Sequence, residues 1–129
     1  MSFEVEPCLG NKRPCILYDY PAPLASLARL KPENKDLAQR FELYVAGIEL
    51  ANGFTELTDP ILQRQRFLTE NNLRTARGET ALPLPEKFLS DLETMPEAAG
   101  IALGVDRLVM LFCNTSTIDE VVAFTPESL

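Results

Sequence analysis

The chain has 129 residues, 46% of them apolar and 24% charged, the composition of a globular domain rather than of a disordered chain. Its 19 acidic and 12 basic side chains leave a net charge of −7, which argues against a non-specific nucleic-acid surface. Histidine is absent, which removes histidine-based acid–base, triad and zinc chemistry. The three cysteines, Cys8, Cys15 and Cys113, are too few and too irregular for a disulfide framework or a zinc site.

No apolar run reaches the ~18 residues that span a bilayer, and the amino terminus lacks a basic-then-apolar signal pattern. These features describe a reduced, cytoplasmic protein with a single domain over residues 1–129. Residues 1–14 read as a short lead-in. CILYDY, Cys15 to Tyr20, reads as a strand stopped by Pro21 and Pro23, which cannot continue a ladder. Leu24–Leu30 is expected to form a helical turn before the polar KPENKD.

FELYVAGIELANGFTEL, Phe41 to Leu57, predicts a hairpin with its two-residue turn at Ala46-Gly47. That register sets Tyr44 opposite Glu49, with Glu42 diagonal to Glu49 on the same face. Asn52, Phe54 and Glu56 have the other parity. Bringing Glu49 and Asn52 to one site therefore requires a bulge, expected at Ala51-Asn52-Gly53. Asp59 followed by Pro60 opens a helix that Gly78 closes. A second helix is expected over Pro85–Met95 with Phe88, Leu89 and Leu92 inward. Gly100–Gly104 follows as a strand, Arg107–Phe112 as a buried helix, and Glu120–Phe124 as a last strand or helix end.

Arg107 keeps its charge in any environment and needs an anionic or polar partner. It either awaits an anionic ligand or pairs with Asp106, which is placed to cap the helix, as a brace at the junction. Gly100 and Gly104 leave room for a flat ligand or for close backbone packing. Glu42, Glu49 and Glu56 either face solvent or share a cation, a hard metal or an ammonium group. Arg64, Arg66, Arg74 and Arg77 read as a solvated helix face, with phosphate or RNA contact as the lesser reading, and Cys113 reads as a core residue.

FELYVAGIELANGFTELTD followed by GIALGVDRLVMLF resembles the carboxyl-terminal part of class II lysyl-tRNA synthetase catalytic domains, the second block being similar to motif 3 of that class. PCILYDYPAPLASLARL resembles the strand that precedes this hairpin in the family. ELTD in place of ELND, and Ala102 where glycine is usual, resemble the stand-alone ligase paralogues that lack an anticodon-binding domain and act on elongation factor P.

The resemblance implies an α+β fold, an antiparallel sheet flanked by helices, as a partial class II catalytic fold. It implies ATP and Mg²⁺ as cofactors. Arg107 would bind the triphosphate, Gly100 and Gly104 would lie beside adenine and ribose, and Glu42 and Glu49 would hold the metal. Asn52, Phe54, Glu56 and Ala102 would form the pocket for lysine or β-lysine, with Ala102 influencing which isomer fits. The implied chemistry is aminoacyl-adenylate formation and transfer to tRNA or elongation factor P. Motifs 1 and 2 have no counterpart here. The chain is therefore expected to be inactive alone, and to work as a homo-oligomer such as a homodimer, or beside a chain supplying the rest. The alternative is a non-catalytic ligand-binding or protein-interaction module derived from a synthetase.

Overall fold

The computed structural model describes residues 4–125, so the first three residues of the lead-in lie outside it. Four strands form one antiparallel sheet in chain order: β1 (Cys15–Pro21), β2 (Leu37–Val45), β3 (Ile48–Thr55) and β4 (Ala99–Leu103). Three helices accompany them: α1 (Pro60–Ala76), α2 (Glu86–Asp91) and α3 (Val105–Cys113). The α+β class expected from the sequence is the one observed. The contacts divide the chain into two units, the first from residues 4–19, Phe41–Gly53 and 101–125, the second from Tyr20–Arg40 and Phe54–Gly100.

In the first unit the hairpin turns at Ala46-Gly47, with φ of 52° and 77°. Two successive positive φ values match the right-handed twist of the flanking strands, which is why a small residue and a glycine stand there. The lead-in closes over this turn. Gly10 and Leu9 offer their carbonyls to the amides of Ala46 and Gly47 at 2.9 and 2.8 Å. A side chain on Gly10 would strike the main chain of Tyr44, so the close approach needs glycine there.

The β4–α3 corner differs from its expected burial. Every residue of β4 is exposed, and Met110 is the one fully buried residue of α3, while Phe112 is 83% exposed. Cys113 is exposed, not a core residue. An apolar sequence identifies a face to be covered, and within this unit little of the chain folds back over it. The end expected at Glu120–Phe124 is a 3-10 turn over Ile118–Glu120 followed by irregular chain.

In the second unit the helical turn expected over Leu24–Leu30 is replaced. A 3-10 turn spans Ala22–Leu24, and after a turn at 26–27 residues 28–30 run alongside other strands, bridging Ala28 to Glu56 and Leu30 to Ala38. Its backbone groups bond across: Arg29 N donates to Thr55 O at 2.8 Å and Leu57 N to Leu27 O at 3.0 Å. Those bonds replace the ones a helix would make internally, and tertiary pairing overrides local propensity. Ala25 and Ala28, both fully buried, are small enough to allow the approach.

Helix α1 begins as its sequence predicts. Asp59 accepts from the amides of Ile61 and Leu62 at 2.9 and 3.0 Å, and Gly78 closes it at φ 80°. The second helix is shorter than expected, ending at Asp91 and passing into a 3-10 turn over Leu92–Thr94. Leu89 and Leu92 point inward, while the partly exposed Phe88 tilts against Phe67 with ring centroids 6.1 Å apart.

Candidate functional site

The sequence-predicted residues fall into two sets, one in each unit. In the first unit, Glu42 is buried on β2, and a buried carboxylate is tolerated only where donors replace its water. Tyr44 donates its hydroxyl to Oε2 at 2.5 Å, and Asn52 donates Nδ2 to Oε1 at 3.2 Å. A carboxylate accepts only, so the amide of Asn52 must turn its nitrogen toward Glu42 and its oxygen away. That oxygen, Oδ1, is buried and meets no donor among the described residues.

The Asn52–Glu42 bond also bears on register. In an unbroken ladder from the 46–47 turn, Glu42 faces Ala51 and Asn52 points to the opposite side. Leu50 and Ala51 are buried consecutively, breaking the alternation of β3. The expected slip in parity is therefore present, one residue before the position read from the sequence, and it carries Asn52 to the face of Glu42. Gly104 N donates to Leu50 O at 2.8 Å, which sets Asn52 opposite Ala102 two residues along.

Arg107 stands in the first turn of α3. Its guanidinium is neither deeply buried nor paired with Asp106. NH1 donates to Glu49 O at 2.8 Å and reaches Glu49 Oε2 at 3.5 Å, with the arginine side chain 48% exposed. The stem of Arg107 lies over Gly104, its Cδ 3.3 Å from where a β-carbon would stand, so the room left by that glycine is taken by the arginine. Asp106 is exposed, and no side chain caps α3. An uncapped helix start beside an arginine favours an anion.

The second unit holds Phe54, Glu56 and Gly100. Glu56 N donates to Ala98 O at 2.9 Å, which sets Phe54 opposite Gly100. Glu56 is half-buried, and no hydrogen bond or ion pair reaches its carboxylate among the described residues. A β-carbon at Gly100 would stand 3.4 Å from Glu56 Oε1, so the glycine leaves the space beside that oxygen open.

No cluster of three or more metal-ligating side chains occurs among the described residues. Mg²⁺ is nevertheless commonly held by one or two carboxylates, with substrate phosphates completing its shell. Glu49, partly exposed and lightly held by Arg107, fits that role. Glu42, buried on the same hairpin with Tyr44 and Asn52 donating to its oxygens, is the second carboxylate there.

Of the four arginines expected on a solvated face, Arg77 is exposed as expected, while Arg64, Arg66 and Arg74 are partly covered. Arg64 pairs with Glu86 and Arg74 with Glu79. Arg66 reaches back to the carbonyls of Ser26 and Ala28, both at 2.7 Å, and burial lowers its pKa from the ordinary arginine value. A groove of about 700 Å³ lies between α1 and the 22–27 segment and contains none of the predicted site residues. Two residues with clear work to do escaped the sequence reading: Tyr44 as the donor that makes Glu42 tolerable indoors, and Arg29, treated below. A lone arginine in the otherwise small and apolar PAPLASLARL was the available signal for the second.

The sequence matches the family of class II tRNA synthetases (D, K and N) over residues 4–128. The chain belongs to that family. Within it, the chain is similar to the elongation factor P–(R)-beta-lysine ligases of Edwardsiella ictaluri (49% identical over 96% of this chain), Klebsiella pneumoniae (51% over 94%) and Pectobacterium atrosepticum (48% over 98%). It spans 38–39% of the length of those relatives. No helix among the described residues is long and apolar enough to cross a membrane.

Proposed function

We propose that the chain carries the nucleotide- and diamino acid-binding part of an ATP-dependent aminoacyl ligase, with (R)-β-lysine or lysine as the acyl donor. Elongation factor P is the preferred acceptor, by likeness to the named relatives, with tRNA as the other. The observation that carries the reading is the half-buried carboxylate of Glu56, which no hydrogen bond or ion pair reaches among the described residues. A carboxylate partly withdrawn from water gains from a cation brought to it, and a diamino acid brings an ammonium.

Phe54 supplies an apolar wall in the unit of Glu56; in the other unit Asn52 offers its unmet Oδ1 to a ligand's donor, and the methyl of Ala102 opposite it helps select the isomer. Arg107 and the uncapped start of α3 hold the triphosphate; Gly100 and Gly104 are assigned to the nucleoside by likeness to the family alone. Glu42 and Glu49 hold Mg²⁺, whose part is to neutralise charge on the phosphates. In the reaction a substrate carboxylate oxygen attacks the α-phosphorus and pyrophosphate departs, leaving an aminoacyl adenylate. The acceptor's amine or hydroxyl then attacks the carbonyl carbon and AMP leaves. Positioning and charge complementarity carry both steps, so the absence of histidine is no obstacle.

The open β4 edge belongs with a second copy or another polypeptide that completes the domain, and sedimentation at increasing concentration tests for the former. The unpaired cysteines suit a reducing compartment, and we place the protein in the cytoplasm.

Calorimetric titration with ATP–Mg²⁺, lysine and β-lysine tests the reading. Saturable binding is expected, with Glu56→Gln weakening the amino acids ~10-fold or more and Arg107→Ala weakening ATP by a similar factor, as for lost charge-assisted bonds. No heat at millimolar ligand would sink the proposal. The chain alone is expected to give no lysine-dependent pyrophosphate exchange.

A further inference from the structure

We infer that Arg29 is a positioning residue for diamino-acid recognition, aiming the Glu56 carboxylate without neutralising it; this rests on the role proposed for Glu56. All three nitrogens of the guanidinium are engaged. Nε donates to the main-chain oxygen of Glu56 at 3.3 Å, NH2 reaches Thr58 Oγ1 at 3.5 Å, and NH1 donates to Glu97 Oε1 at 2.7 Å. The fork therefore touches the chain on both sides of Leu57, a buried residue whose own amide is tied to Leu27 O. With Glu56 N held by Ala98 O, the peptide groups flanking the Glu56 side chain are fixed at both ends.

The pairing of charges matters as much as the rigidity. An arginine bonded to the Glu56 carboxylate would occupy the place of a substrate ammonium. Here the guanidinium takes Glu56 by its backbone and directs its ion pair to Glu97. The Glu56 carboxylate is left open to a ligand while the main chain that carries it is held on both sides. Arg29 is only 26% exposed, whereas Glu97 is 83% exposed, so the backbone grip is the sheltered half of the arrangement. A lysine in its place keeps the charge but cannot span three acceptors.

Titration of the whole chain tests this. Arg29→Ala should weaken lysine or β-lysine binding ~10-fold, as for loss of a charged hydrogen-bond network, and leave ATP–Mg²⁺ affinity within about twofold. Arg29→Lys should fall between wild type and Arg29→Ala, and Glu97→Gln should change affinity less than threefold, as a mostly exposed partner does. Equal weakening of both ligands, or no change in either, overturns the inference. Absence of amino-acid binding by the wild type instead overturns the role given to Glu56.

Hydrogen exchange on the free chain decides the geometry separately. The amides of Glu56 and Leu57 should exchange ~10-fold faster in Arg29→Ala while those of Ala46 and Gly47 keep their rates. Unchanged exchange at Glu56 and Leu57 overturns the inference whatever the ligands do.

Discussion

The tip of the β2–β3 hairpin and the β4–α3 corner are both assembled from small and apolar residues, yet they meet opposite fates. At the tip, the lead-in supplies two carbonyls to the turn, and Tyr44 and Leu50 are buried behind it. At the corner, Ile101, Leu103, Val105 and Phe112 stand largely in solvent. Hydrophobicity along a sequence records a demand for cover, and the chain meets that demand at one place and not at the other.

The comparison breaks if the tip proves dispensable. Tyr44→Phe leaves a buried carboxylate oxygen without its hydroxyl and should cost about 1–3 kcal/mol in urea unfolding. Gly47→Ala places a β-carbon at positive φ and against Pro7 O, and should cost about 1–2 kcal/mol. Asp59→Ala, which removes the cap of α1 in the other unit, gives an intermediate mark near ~1 kcal/mol.

At the corner, Phe112→Ser should change stability by less than ~0.5 kcal/mol while lowering the binding of a hydrophobic dye. A loss as large as that of Tyr44→Phe would mean that the corner is covered in solution.

The smallest effect belongs to the exposed Arg64–Glu86 pair. The hydrogen bond from Arg64 holds the Glu86 carboxyl below the usual glutamate range. Its contribution is present above the unfolded-state pKa and fades as pH falls through the lower folded value. Glu86→Gln should therefore lower the neutral plateau slightly, leave stability at low pH, where the carboxyl is already protonated, unchanged, and so flatten the acid limb between them.

What was legible in the sequence was punctuation. The Ala46-Gly47 turn, the Asp59-Pro60 start and the Gly78 stop stand where local chemistry puts them, because a turn or a cap is satisfied by residues close in the chain. The slip that turns Asn52 toward Glu42 was also legible, since parity alone demanded it. What the residues hid was long-range. Leu27–Leu30 abandons its helical preference for partners at 37–39 and 55–57. Arg66 leaves its expected solvated face for two carbonyls about forty residues away. The burial of α3 was misjudged because it depends on what packs upon it. Of the candidate site, residue types and spacing could nominate Glu42 and Glu56, but only coordinates separate a carboxylate already supplied with donors from one left bare.

The contact between the lead-in and the hairpin turn has a practical consequence for anyone trimming this protein. A version starting at Cys15 would strip two acceptors from the amides of Ala46 and Gly47 and uncover the loop joining β2 to β3. A protease that spares the intact chain should then cut at that loop, just beyond Glu42 and just before Glu49.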